Sequence, residues 1–309
     1  MPTPIIIDSD PGHDDAIAIL LAIASPEVEL LGVTTVGGNT SLENTTTNAL
    51  KILELANRPD IPVAAGAGHP LVRDLEVADH VHGRTGLDGP KLPEPEQRPH
   101  HLHAIDFMAA TLEEHAAPVT LIPVGPLTNI ALLLRRYPNV VEQIERVVLM
   151  GGAVGLGNRT PSAEFNIWAD PEAAAVVFGS GLDITMVGLD VTHLALLGPE
   201  RNEELRGGGR AGQVVAELIE FFVGFHRDTY GLEQAPIHDA VAVGEVIWPG
   251  LVETEHLAVD IETSSPMTVG RTVVDRWKVT DTVPNAHVAL NMDGPAFIDR
   301  LVTRIVSLA

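Results

Sequence analysis

The sequence predicts an α/β protein built on a mostly parallel sheet flanked by helices. Three observations carry this. Short runs of β-branched and aliphatic residues alternate with stretches of helical composition from residue 5 onwards. Hydrophobic residues make up 45% of the chain, yet the aromatics are only 7 Phe, 3 Trp and 2 Tyr. The core is therefore aliphatic, which suits buried parallel strands covered by helices. No low-complexity linker or repeat interrupts the 309 residues, so 1–309 reads as one elaborated domain.

Each element follows from its own stretch. Ile5-Ile-Ile reads as the first strand and not as a secretory signal, because no basic segment precedes it. Ala16 to Ala24 is helical, and as the longest apolar run it is too short to span a bilayer. Val28 to Val36 is a strand ending at Gly37-Gly38-Asn39, followed by a helix over Leu42 to Ala56 and a short strand at Ile61-Pro-Val-Ala. Residues 66 to 100, with many Gly, Pro and His, break the rhythm. It resumes with Val119 to Val124, Leu127 to Arg136, Val147 to Met150, Pro171 to Phe178 and Ile184 to Leu189. Gly207-Gly-Gly is a second break before a helix from Gln213 to about Thr229. Residues 255 to 290 look strand-like, and Pro295 to Leu308 forms a closing helix. Such alternation implies right-handed βαβ crossovers.

The formal net charge is −23, from 42 acidic against 19 basic residues. That balance argues against nucleic acid and anionic membranes as partners, because nothing neutralises phosphate. The absence of cysteine excludes disulfides, thiolate zinc sites, iron–sulfur clusters and cysteine nucleophiles. It fits a reducing compartment, and a cytoplasmic location is expected.

The densest chemical signal is Asp8-Ser-Asp10-Pro-Gly-His-Asp14-Asp15, four carboxylates in eight residues. Asp8 and Asp10 close a strand, while Asp14 and Asp15 open a helix, which is the sheet edge where ligands bind in open α/β folds. A helix N-terminus offsets only about 0.3–1 kcal/mol per interaction. Converging buried carboxylates repel more strongly, so a cation is expected, and all-oxygen ligation without Cys points to Ca²⁺ or Mg²⁺. An EF-hand is excluded by spacing: Gly12 is fifth from Asp8, and the twelfth position is Ile19, which cannot chelate. Two other readings stay open on this segment alone. It could be a solvated acidic turn, or the Asp-x-Asp of a haloacid-dehalogenase-type phosphatase with Asp8 as nucleophile.

Four further clusters lie at a strand end, in a loop or at a helix start. Asn39 follows a glycine turn, and the main-chain oxygen of Val124 could reach a metal. Glu164 and Asn166, if the backbone there is extended, face the same way and could hold sugar hydroxyls, with Asn158 nearby. His238-Asp239 opens an Ala/Val-rich helix.

With these residues in view, the sequence resembles the inosine–uridine-preferring nucleoside hydrolase family. The resemblance rests on Asp8 to Asp15, Thr34-Thr-Val-Gly-Gly-Asn39, His80-Val-His-Gly83 and Val147-Val-Leu-Met-Gly-Gly152. It continues with Ala163-Glu-Phe-Asn166, Asp170-Pro-Glu-Ala and Pro236-Ile-His-Asp239. The motifs run in family order over most of the chain. Two small departures are Ser9, where Thr is commoner, and His13.

The resemblance implies a fold and a set of roles. The fold would be an open α/β sheet with a Rossmann-like core, assembled as a homodimer or homotetramer. Asp10, Asp15, Asp239 and the main-chain oxygen of Val124 look like Ca²⁺ ligands, with Asp10 also accepting a proton from the attacking water. Asp14, Asn158, Glu164, Asn166 and Asp239 look like ribose-holding groups, with Asn39 beside the water. His82 and His238 would face the base, with His238 assisting its departure. Phe222, His226 and Tyr230 would form the leaving-group region, where family members diverge most, and the stretch from Tyr230 to His238 looks closest to pyrimidine-preferring members. The implied reaction is Ca²⁺-dependent hydrolysis of ribonucleosides to ribose and free base, in salvage or catabolism.

The chemistry agrees with first principles. N-glycosidic cleavage develops positive charge on ribose, and a carboxylate-lined site complements it. A nearby His can assist the departing base. The competing readings are a metal-dependent phosphatase, weakened by the absence of a glycine-rich phosphate loop, and a nucleoside-binding protein without turnover. The His-rich stretch from His69 to His103 reads as a lid and wall over the base, or more blandly as a surface loop with capping histidines.

Overall fold

The computed structural model describes residues 1–308, apart from the side chain of Tyr230. In its first half, β1 (Thr3–Ser9), α1 (His13–Ile23), β2 (Val28–Thr35), α2 (Leu42–Leu55), β3 (Val63–Ala65), α3 (Asp79–His82) and α4 (Ala104–Glu114) follow in turn. The middle of the chain forms β4 (Val119–Pro123), α5 (Thr128–Arg136), β5 (Ile144–Met150), α6 (Phe165–Ala169), α7 (Pro171–Phe178), β6 (Ile184–Val187) and α8 (Leu189–Thr192). Then come β7 (Leu196–Leu197), α9 (Pro199–Arg206), α10 (Gly209–Tyr230), β8 (Ala235–Pro236) and α11 (Asp239–Ile247). β9 (Val252–Leu257), β10 (Val259–Ile261), β11 (Thr272–Val274), β12 (Ala286–Met292) and α12 (Gly294–Val306) complete the chain.

Eight strands form the central sheet in the order β3-β2-β1-β4-β5-β6-β12-β9. All neighbours are parallel except the edge pair β12–β9. β1 shows why the strands are so apolar. Ile5 and Ile7 enter one aliphatic core beneath α1, α11 and α12, whereas Ile6 enters the other beneath α4 and α5. With both faces covered, a strand has no polar side. The direction of winding reverses between β1 and β4, and this switch opens a crevice at the carboxyl ends of those strands.

The structure adds helices that the sequence reading left out. α4 follows the irregular stretch and buries Ile105, Met108, Ala109 and Leu112 against the sheet, the i, i+3, i+4, i+7 spacing of one helix face. α9 precedes the Gly207-Gly-Gly break and is mostly polar, with only Asn202 and Leu205 buried. One local expectation is corrected. Residues 164–166 are not one extended stretch: Glu164 is the extended N-cap of α6, and Phe165 and Asn166 already lie in the helix. The reason is capping, since the Glu164 carboxylate accepts the N–H groups of Asn166 and Ile167. Residues 255–290 hold strands as expected, but much of 262–285 is loop.

Candidate active site

β1 delivers Asp8 and then Asp10 to the crevice, and the turn at Pro11-Gly12 starts α1 so that Asp14 and Asp15 fall in its first turn. Acidic residues are favoured there because the helix N–H groups lack partners. Ser9 donates its hydroxyl to Asp15 Oδ1 at 2.7 Å, and the Gly12 N–H donates to Asp15 Oδ2 at 2.9 Å. Asn39, after β2, donates its backbone N–H to Asp10 Oδ2 at 2.6 Å. Its side-chain amide reaches the Asp10 carbonyl at 3.2 Å and Asp15 Oδ2 at 3.1 Å. α11 runs beside α1 and brings Asp239, its first residue, to the same point. Carboxylate oxygens of Asp14, Asp15 and Asp239 lie within 4.8 Å of one another. Asp14, expected only against ribose, thus stands inside the carboxylate group.

All four carboxylates are buried. Burial and mutual repulsion push Asp14 up to about 7 and hold Asp10 and Asp239 well above the usual carboxylate range. Asp15 is raised too, chiefly by burial. Repulsion of this kind demands a positive partner. Asp10 Oδ1 is buried without a hydrogen-bond partner, and a Cβ at Gly38 would overlap the Asp10 carboxylate. The donor set is oxygen only, so the residues fit a hard divalent cation. Behind them, burial raises Asp8 to about 7 even though Thr34 and Asn129 donate to it.

Two of these carboxylates, Asp14 and Asp239, line a cavity of about 650 Å³, and Asp10 and Asp15 stand behind them outside its lining. Asp14, Asn39, Val124 and Asp239 line its floor; Asn158, Glu164 and Asn166 line one side. Asn166 donates its amide to the Val124 carbonyl at 2.8 Å and to the Met150 carbonyl at 3.1 Å, joining the ends of β4 and β5. Glu164 also accepts the Gly152 N–H at 2.9 Å, and burial pushes it up to about 7. Asn158 Oδ1 accepts the Phe165 N–H at 2.9 Å, which fixes the loop before α6.

Another part of the lining is aromatic. His82, Phe222, His226 and His238 line the cavity here, and the side chain of Tyr230 lies outside the described residues. Phe222 stacks on His82 at 5.5 Å and meets His226 edge-on at 4.6 Å. His238 Nδ1 is 2.7 Å from Thr192 Oγ1. Burial, with other histidines nearby, holds His82 and His238 well below the usual imidazole range and lowers His226. The wall is therefore neutral, while the floor carries carboxyl groups whose charged forms a bound cation would favour. His193, Phe225 and Arg159 also line the cavity and were missed, because they belong to no motif. Only position beside Asn158 could have suggested Arg159, whose guanidinium rests over Trp168 and pairs with Glu76.

Fold and site together define a class, a Rossmann-like sheet with buried carboxylates at its crossover edge that could hold a cation. The sequence profile described as "Inosine-uridine preferring nucleoside hydrolase" matches residues 5–299. The chain belongs to that family and is a ribonucleoside hydrolase. It is 49% identical over 307 residues to the "Pyrimidine-specific ribonucleoside hydrolase RihA" of Shigella boydii, covering 99% of both chains. The protein of the same name from Photobacterium profundum is 51% identical over 309 residues, covering 99% of this chain and all of its own. Among solved structures, the "Purine-Preferring Ribonucleoside Hydrolase from Gardnerella vaginalis" superposes with a TM-score of 0.93 at 34% identity, covering 99% of each chain.

Proposed function

We propose that this chain hydrolyses pyrimidine ribonucleosides in preference to purine ones, using Ca²⁺ held by Asp10, Asp15, Asp239 and the main-chain oxygen of Val124. The observation that carries the reading is one cavity with two unlike walls. Buried carboxylates suit a cationic ribose, and a neutral His/Phe wall suits a flat base. Two relatives named pyrimidine-specific, at about half identity over the whole chain, support the base preference. The purine-preferring structure at 34% identity shows that the same fold also serves the other choice.

When bound, Ca²⁺ supplies a positive centre that orients the 2′- and 3′-hydroxyls and makes a water molecule more acidic. The chain does the rest. Asp10 accepts the proton of the attacking water through the oxygen that Asn39 leaves free. Asp14, Asn158, Glu164, Asn166 and Asp239 hold the ribose hydroxyls. As the C1′–N bond breaks and a C1′–O bond forms, positive charge on the ring is stabilised by the carboxylate floor. His238 stands on the base side, where a neutral imidazole donates an N–H hydrogen bond to the departing ring.

The same reading takes the chain as one cytoplasmic domain of nucleoside salvage or catabolism, working as a homodimer or homotetramer. No helix among the described residues is long and apolar enough to cross a membrane. The test is a comparison of kcat/KM for uridine and cytidine with that for inosine and guanosine, with nitrophenyl phosphate as a control. Preference for the pyrimidines and no phosphate release support the proposal; higher values for the purines overturn the base assignment.

A further inference from the structure

His13, singled out in the sequence as a departure, takes no part in the chemistry above. It is fully buried at the first position of α1, directly before Asp14 and Asp15. Its Nε2 is 2.9 Å from the Asp88 carbonyl, so that nitrogen is the donor. With Nε2 donating, its Nδ1 can only accept, so His82 Nδ1 donates to it at 3.1 Å, and the His13 backbone N–H, 3.3 Å from that same nitrogen, is a contact and not a second hydrogen bond. The ring is stacked between Phe221 at 4.9 Å and His82 at 5.3 Å. Gly12 adds an independent constraint. A Cβ there would stand 2.7 Å from His82 Nδ1, so the His82 ring sits directly on the backbone entering α1.

His82 itself ends α3, a single turn set in the Gly- and Pro-rich stretch. Nothing in so short a helix can orient a ring. The ring is held from outside its own turn, by the stack on Phe222 of α10 and, through His13, by α1, the helix that carries Asp14 and Asp15. With Nδ1 occupied by His13, the remaining ring nitrogen, Nε2, is the one available to a ligand.

We infer that His13 is a positioning residue for base recognition, tying His82 to the carboxylate-bearing helix so that the base contact is set relative to the ribose. The inference rests on the reading that His82 touches the base. It assigns the pyrimidine-against-purine choice partly to a residue outside the cavity.

The test is a double-mutant cycle. Wild type, His13→Phe, His82→Ala and the double variant are assayed on uridine and inosine, with Ca²⁺ affinity measured by calorimetry. Phe keeps the stacked ring and removes both ring-nitrogen contacts. His13→Phe should lower kcat/KM for uridine about two- to tenfold, the worth of one hydrogen bond. It should move the uridine-to-inosine ratio in the same direction as His82→Ala, leave Ca²⁺ affinity unchanged, and add nothing to the ratio once His82 is Ala. His13→Gln, which can still reach the Asp88 carbonyl, guards against misfolding of the Phe variant and should recover part of the ratio. An equal loss on both nucleosides that persists in full in the His82→Ala background would overturn the inference, because His13 would then merely support α1. No effect of His82→Ala on either nucleoside would overturn the base-wall reading itself, and with it this inference.

Discussion

Asn39 grips Asp10 from both sides, its backbone N–H on the carboxylate at 2.6 Å and its side-chain amide on the Asp10 carbonyl at 3.2 Å. The same amide reaches Asp15. One residue after β2 therefore fixes two proposed cation ligands contributed by β1 and α1, and leaves Asp10 Oδ1 unpartnered.

Asn39→Ala should therefore act on the cation as well as on turnover. The backbone contact survives, and the side-chain contacts are lost. Groups that orient metal ligands typically contribute about 10–100-fold in affinity or activity. Calcium titration followed by calorimetry, beside uridine turnover, checks this; unchanged Ca²⁺ affinity would show that the amide does not organise the ligands.

Ribose should be read more strictly than the base. Groups built to bond the 2′-hydroxyl are left unpaired by a deoxyribose substrate, which costs about 10⁴-fold or more in kcat/KM. Uridine and deoxyuridine measured side by side give the answer, and comparable values would remove the sugar-holding role from Asp14 and Asn166.

Crowding at Gly38 provides a steric test. Gly38→Ala places a methyl group against the Asp10 carboxylate, while Gly38 itself lies in a turn. The variant also meets Pro126, so it should lose some Tm together with most turnover, the loss of turnover persisting at temperatures where it is fully folded. Full activity would mean that the Asp10 carboxylate has room to move and that its placement is not critical.

Glu164 gives a pH dependence with a definite sign. Burial raises its folded value from 4.5 to about 7, so the folded state favours the protonated form. Its contribution to stability is complete below about 4.5 and is lost as pH rises through 7. Relative to Glu164→Gln, which never ionises, wild type should lose up to about 3 kcal/mol between those limits. Urea denaturation of both chelated proteins at pH 5 and pH 8 measures the difference. A gap that does not change with pH would mean that Glu164 ionises at its ordinary value.

Much of the fold was legible because parallel strands advertise themselves. Ile5-Ile-Ile and Val147-Val-Leu-Met are apolar on both faces, and glycine turns mark their ends. α4 was hidden because its i, i+3, i+4, i+7 pattern follows directly on an irregular His-rich stretch. α9 has almost no apolar face to detect. The acidic motif pointed to a cation through its charge density alone, since no local partner could offset it. What periodicity could not show is contact across the chain. His13 meets His82 only because α1 and α3 converge, and His193 reaches the cavity through the turn after α8. The Glu164–Asn166 stretch misled because a side chain capping its own helix leaves no periodic trace.

The central claim is that a ribonucleoside is cleaved at a Ca²⁺ ion held by the buried carboxylates. The most direct measurement follows release of uracil and ribose from uridine by chelator-treated protein while Ca²⁺ is added back. The account predicts no turnover in excess chelator and full recovery at one ion per chain. Undiminished turnover with all divalent metal removed would contradict it.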